Sequence, residues 1–169
     1  MAYHEKIADL NGKYAASFDK GDLPLPPSKK VIVLTCMDAR VEPASQLGIN
    51  LGEAHVIRNA GGLAKDALRS IVISQRLLGT REVAIFHHTD CGMLTFTNEV
   101  IRDQVKSEEA GNAAIVSAVD SIDFLPFPDL VQSVKDDVKF VKENPLVLDG
   151  TTVTGWTYDV RTGKVAQIV

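Results

Sequence analysis

Val31-Ile32-Val33-Leu34-Thr35-Cys36 is a short, β-branched, apolar run with no polar alternation. A half-exposed strand alternates, so an unbroken run predicts a central strand covered on both faces, as in a mostly parallel sheet. Cys36 then stands at its carboxyl end. Downstream, Ala54 to Arg58 reads as a second short strand that enters the turn-forming Asn59-Ala60-Gly61-Gly62. Leu63 to Leu78 follows with apolar residues at helical spacing, closed by Gly79. Glu82 to His88 repeats the buried-strand pattern through Val83, Ala84, Ile85 and Phe86, and ends in His88-Thr89-Asp90-Cys91-Gly92. This order predicts a βαβ unit and an α/β fold, a single domain with a mostly parallel central sheet flanked by helices. Ligands of open α/β sheets bind beyond the carboxyl ends of the strands, where the sequence-distant Cys36 and His88 can meet.

Outward from this centre, Leu94 to Lys106 and Ala110 to Ile122 have helical spacing, and Pro128-Asp129 opens a further amphipathic helix through about Lys142, stopped before Pro145. Thr151 to Val160 and Lys164 to Ile168 read as strands around the hairpin-like turn Arg161-Thr162-Gly163. On the other side, Ile7, Leu10, Tyr14 and Phe18 give residues 3 to 18 an apolar helical stripe, followed by Pro24, Pro26 and Pro27 in an extended linker. Residues 1–28 are therefore expected to form an N-terminal helical arm with its Pro-rich linker, and residues 29–169 the α/β domain. The arm's stripe needs a surface to cover, on its own domain or on a second subunit.

The chain of 169 residues, 45% hydrophobic, can bury one ordinary core. Its 22 acidic and 18 basic residues are interspersed, net −4, with no basic stripe, which argues against nucleic acid or an anionic membrane as partner. Glu5 and Asp9 interrupt the first ten residues, so no secretory signal is expected, and no uncharged apolar run approaches the roughly 18 residues of a spanning helix. A soluble, cytoplasmic protein is the expectation. Neither a Gly-x-Gly-x-x-Gly fingerprint nor a Walker loop is present, which removes dehydrogenase and kinase readings.

Two cysteines, Cys36 and Cys91, are too few for a disulfide scaffold and in a reducing compartment point to metal or catalysis. Buried inert cysteines and a core histidine are the bland alternatives for each residue alone. Together with His88 they form a set that zinc favours, two thiolates and an imidazole, leaving a fourth tetrahedral position for water or substrate. His88-x-x-Cys91 supplies two ligands across one turn, and Cys36 arrives from another strand. His87 points to the opposite face of its strand and is left out. His55 and His4 are structural or solvated, as are the Glu108-Glu109 and Lys135 to Lys139 helix faces.

At Cys36-Met37-Asp38-Ala39-Arg40 and His88-Thr89-Asp90-Cys91 the sequence resembles the beta-carbonic anhydrases, whose pattern is Cys-x-Asp-x-Arg followed further on by His-x-x-Cys. Arg58-Asn59-Ala60-Gly61-Gly62 and Gly92 extend the similarity over roughly residues 30 to 95, and the chain is similar to the compact members of that family. The resemblance implies one zinc ion on Cys36, His88 and Cys91, with Asp38 and Arg40 paired beside it, and a homodimer or a multiple of dimers. It also implies a Gly92 amide able to hydrogen-bond an oxygen of bicarbonate. Asn59 and Gly61 are further candidates for lining the substrate pocket, although the glycines suit a positive-φ turn in the first place.

The implied reaction is reversible hydration of carbon dioxide to bicarbonate and a proton. A zinc-bound water, its pKa lowered from 15.7 towards neutrality, gives hydroxide that attacks the carbon. Asp38 would orient that hydroxide while Arg40 grips the carboxylate as a fork. An Asp38 released from Arg40 could instead become a fourth zinc ligand in a closed state. Three other readings compete: a hydrolase of carbon disulfide or carbonyl sulfide on the same scaffold, a non-catalytic zinc or bicarbonate-binding protein, and a redox module joining Cys36 to Cys91.

Overall fold

The computed structural model describes residues 2–169. Five strands, β1 (Val31–Cys36), β2 (Ala54–Asn59), β3 (Glu82–His88), β4 (Thr152–Tyr158) and β5 (Val165–Gln167), form one sheet in the order β2-β1-β3-β4-β5. All neighbours are parallel except the terminal β4–β5 pair. The chain leaves β1 for β2 on one side and returns to β3 on the other. The sheet order therefore reverses at β1, where the carboxyl ends of β1 and β3 lie side by side, the place where ligands of open α/β sheets bind.

The two central runs are buried as their composition demands: Ile32, Leu34, Val83 and Ile85 are fully inaccessible. Helix α3 (Ala64–Leu78) presses Ala64, Ala67 and Ile71 on them, and α6 (Leu130–Glu143) adds Val138 and Val141 to the same core. Each fully buried Val, Leu or Ile side chain among them contributes roughly 1.5–3 kcal/mol. Gly155 lets α6 approach β4, since a Cβ there would lie 2.5 Å from Val134 and 2.8 Å from Val138. Helix α3 stops at Gly79, left-handed at φ 75°, and α6 starts where Asp129 accepts from Gln132 N at 2.7 Å.

Several boundaries differ from expectation for local reasons. Helix α4 is Asn98–Glu108 because residues 92–94 form a tight 3₁₀ turn and Thr97 caps the helix that follows. Helix α5, Ala113–Asp120, starts at the Asn112 cap. A short helix α2, Pro43–Leu47, lies between β1 and β2, a segment too brief to show periodicity. The 135–139 stretch is not wholly solvated, because Asp137 and Val138 lie on the buried side of α6. Helix α1, Ile7–Ala15, continues a 3₁₀ turn at Tyr3–Lys6 and has no buried residue. No helix among the described residues is long and apolar enough to cross a membrane.

Candidate metal centre

Cys36 ends β1, His88 ends β3, and Cys91 follows after one turn. Their ligand atoms lie within 4.8 Å of one another, and all three residues are buried. The turn is made by Asp90 in the left-handed region at φ 56°, a conformation that a short polar side chain tolerates. It returns Cys91 toward His88. The Nδ1 of His88 donates to the Thr89 carbonyl at 2.9 Å, so Nε2 carries the lone pair, and that buried atom has no protein hydrogen-bond partner. An imidazole fixed on one nitrogen and open on the other is the usual form of a metal-ligating histidine.

The sulfurs add to this. Hydrogen bonding from the Cys91 thiol, against the opposing effect of burial, pulls Cys36 down to about 4. Cys91 is driven up, by the Cys36 sulfur first and by burial second. As protein groups alone the two sulfurs cannot both ionise, and a divalent cation between them removes that conflict. Tetrahedral zinc on sulfur and nitrogen holds its donors roughly 3.5–4 Å apart. The set present fits such an ion in donor type, in ligand atoms close enough to share one centre, and in an imidazole nitrogen left unpartnered. Both cysteines are free thiols in the structure.

Asp38 leaves β1 beside this set, with Oδ2 3.8 Å from His88 Nε2. Arg40 grips it as a fork, Nε donating to Oδ1 at 3.0 Å and Nη2 to Oδ2 at 2.7 Å, while the Arg40 amide donates to Oδ1 at 2.8 Å. These bonds hold the Asp38 carboxyl well below the usual carboxylate range. The same guanidinium donates to Asp90 Oδ2 at 2.7 Å and to the Asp90 carbonyl at 3.0 Å. Arg40 therefore ties the loop after Cys36 to the turn before Cys91. Arg58 works from below, donating to the carbonyls of Cys36 at 3.1 Å and Asp38 at 2.8 Å.

The turn after β2 backs the centre. Asn59 commits its side-chain amide to this turn, accepting from Leu63 N at 2.7 Å and donating to Leu63 O at 2.9 Å, so its side chain holds the turn. Gly61 and Gly62 are both at positive φ, 82° and 72°. A Cβ on Gly62 would stand 2.8 Å from the Thr35 carbonyl carbon and 2.9 Å from Cys36 N. Gly62→Ala combines that clash with left-handed strain and is expected to destabilise the protein by about 2–4 kcal/mol in denaturant unfolding. A change under about 0.5 kcal/mol would show that the approach is not tight. Gly92 starts the 3₁₀ turn, and a side chain added there would meet nothing within 4 Å.

His87 points away from the centre, to Ser133 Oγ at 2.7 Å and Asp137 Oδ2 at 3.0 Å. His55 bonds Ser74 Oγ at 2.7 Å near the carboxyl end of α3, and His4 lies in the exposed arm. The second carboxylate on Arg40, the carbonyl clamp of Arg58 and the buried Asp137 have no counterpart in the motif reading. A hint of Asp137 lies in α6, where Ser133 and Asp137 sit four apart beside the apolar Val134, Val138 and Val141.

Two cysteine sulfurs and an imidazole buried together at the switch point of a mostly parallel sheet define a zinc enzyme. The chain belongs to the carbonic anhydrase family, whose model matches residues 31–165. It is 45% identical over 159 residues to beta-carbonic anhydrase 1 of Mycobacterium tuberculosis, covering 94% of this chain and 93% of that one. The carbon disulfide hydrolase of an Acidianus strain is 34% identical, covering 85% of this chain and 79% of that one. Among solved structures, a carbonic anhydrase from Glaciozyma antarctica superposes with a TM-score of 0.93 at 50% identity, with both chains fully covered.

Proposed function

We propose that this protein catalyses the reversible hydration of carbon dioxide to bicarbonate and a proton, with Cys36, His88 and Cys91 holding one zinc ion per chain. The observation that carries the reading is the buried, unpartnered Nε2 of His88, set against two cysteine sulfurs with the Asp38 carboxylate 3.8 Å away. Bound zinc supplies Lewis acidity and a water acidic enough to ionise near neutrality, less so than in a three-imidazole site because two thiolates cancel the metal's charge.

Asp38, fixed by the Arg40 fork, is the acceptor that orients the attacking water toward carbon dioxide. Because Arg40 keeps it ionised, it accepts hydrogen bonds and has no proton to give. Gly92 leaves the approach clear and offers its amide to an oxygen of bicarbonate, and Gly61 with the Asn59 backbone forms the wall behind Cys36. The pH sign follows from the depressed Asp38. Its charge is present above the ordinary carboxylate range and is lost only as pH falls through the depressed value, so Asp38 does not titrate between pH 6 and 9. Stopped-flow hydration is expected to rise across that range, and Asp38→Asn to lower the plateau by about 10²-fold with the midpoint kept within about half a unit. A flat wild-type profile, or a midpoint that moves with Asp38, contradicts this assignment.

Similarity to a carbon disulfide hydrolase supports a second reading, in which the same centre attacks the sulfur analogues of carbon dioxide. The higher identity to carbonic anhydrases favours carbon dioxide. Hydrogen sulfide release from carbon disulfide at a rate exceeding hydration would reverse that order.

The arm supports a homodimer. Tyr3, Ile7, Leu10, Tyr14 and Phe18 are 44–74% exposed along one apolar stripe, and no described residue of the arm's helix is buried. Leu10→Glu is expected to shift the protein from dimer to monomer in analytical ultracentrifugation. A variant that sediments like the wild type removes the arm from the interface.

A further inference from the structure

The buried polar cluster behind the sheet ends is not part of the zinc chemistry, yet it touches both sides of it. Asp137, 8% exposed on α6, accepts two hydrogen bonds on one oxygen, Oδ2. One comes from His87 Nε2 at 3.0 Å and the other from Ala64 N at 3.0 Å. A buried carboxylate is retained only when such donors compensate its desolvation. Here the donors belong to the two elements that carry the cysteines' supports.

The first arm runs through His87. Its ring is fully buried and stacks on Phe127 at 5.3 Å with 16° between the planes. Phe127 N donates to the Met93 carbonyl, and the Phe127 ring packs in one cluster with Cys36, Cys91 and Met93. The rotamer of His87 therefore sets the ring that backs the Cys91 turn. The second arm runs through Ala64, the first residue of α3, whose amide would otherwise be an orphan of the helix start. Two residues earlier, Gly62 lies against the backbone of Thr35 and Cys36. Anchoring Ala64 presses that turn onto the Cys36 end of β1.

We infer that Asp137 is a positioning residue for the metal centre, bracing both cysteine loops through a single carboxylate oxygen: Cys91 by way of His87 and Phe127, and Cys36 by way of Ala64 and Gly62. Ser133 completes the brace, its Oγ within hydrogen-bond reach of His87 Nδ1 at 2.7 Å and of the Leu130 carbonyl at 2.8 Å. The assignment rests on the zinc reading above and extends it to residues outside the motifs.

The test uses zinc-loaded full-length protein and reads the rate of zinc loss to excess chelator, together with the d–d absorption of the cobalt-substituted centre, which reports ligand geometry directly. Asp137→Leu removes the acceptor at similar volume. His87→Phe keeps the stack on Phe127 but cuts the link from the other side. Each is expected to release zinc about tenfold faster than wild type, at the lower end of what outer-shell partners contribute, and to change the cobalt band intensities. The double variant is expected to be no worse than the worse single one. Asp137→Asn, which keeps an acceptor oxygen, is expected within about threefold of wild type. Folded variants with wild-type zinc release and unchanged cobalt spectra overturn the assignment. If only one of Asp137→Leu and His87→Phe folds, that one decides; if neither does, the cluster supports the fold alone and the assignment falls. Wild type without zinc would instead sink the metal reading, a separate result.

Discussion

Cys91→Ser is expected to lose stoichiometric zinc and to lower kcat/KM for carbon dioxide hydration by about three orders of magnitude. Serine is a hard, protonated hydroxyl where zinc needs a soft anion, so only Cys36 and His88 remain as strong donors. Loss of the ion removes several kcal/mol of charge stabilisation, and each 1.36 kcal/mol is tenfold in rate. The fold should survive, because Cys91 is a small residue packed with Leu63, Met93 and Phe127 and serine fits the same space. Elemental analysis and stopped-flow hydration on a variant of unchanged circular dichroism check this. Retention of one zinc per chain with wild-type rates would remove Cys91 from the ligand set.

Arg40→Ala should keep its zinc and yet lose about 10²-fold in kcat, since misplacing an orienting group by an ångström has an effect of that order. The substitution removes the fork on Asp38 and both bonds to Asp90, so the Asp38 loop and the Asp90 turn separate together. The acid side is a second readout. In the wild type Arg40 depresses the Asp38 pKa, and the charged pair persists as pH falls through the ordinary carboxylate range. Without the Arg40 fork the Asp38 pKa rises toward the usual carboxylate range, even though the residue-40 amide still donates to Oδ1, so activity is lost at a higher pH than in wild type. Arg40→Lys, a point charge that cannot fork, is expected between the two. Equal kcat and acid limbs for all three would show the pair to be an ordinary surface contact.

The candidate metal ligands were legible in the chain from their combination, each weak alone, and their meeting follows from the strand pattern. Unbroken apolar runs specify two central strands, and the last residues of those runs, Cys36 and His88, must then share one end of the sheet. The turn at Asn59 to Gly62 was legible for the same kind of reason, since positive φ and close approach both exclude larger side chains. What stayed hidden depends on tertiary direction. Asp90 is one more acidic residue in a polar turn until Arg40 is seen to reach it from fifty residues away. Asp137 sits in a run of charges, Lys135 to Lys139, that reads as a solvated helix face, and only the approach of β3 and α3 gives it two donors. Arg58 belongs to the quoted motif, but its grip on the Cys36 and Asp38 carbonyls involves backbone atoms that every sequence possesses. The α4 start moved for a similar reason: apolar Leu94 and Phe96 continue the helical spacing, but they pack beside Cys91 instead.

The most direct test of the central claim is made on the unmodified protein: zinc per chain by elemental analysis, with carbon dioxide hydration followed by stopped flow at pH 7 and pH 8.5 on the same sample. The geometry predicts one zinc per chain and a faster rate at pH 8.5. One zinc with no hydration at either pH, or hydration that survives complete removal of zinc, would contradict it.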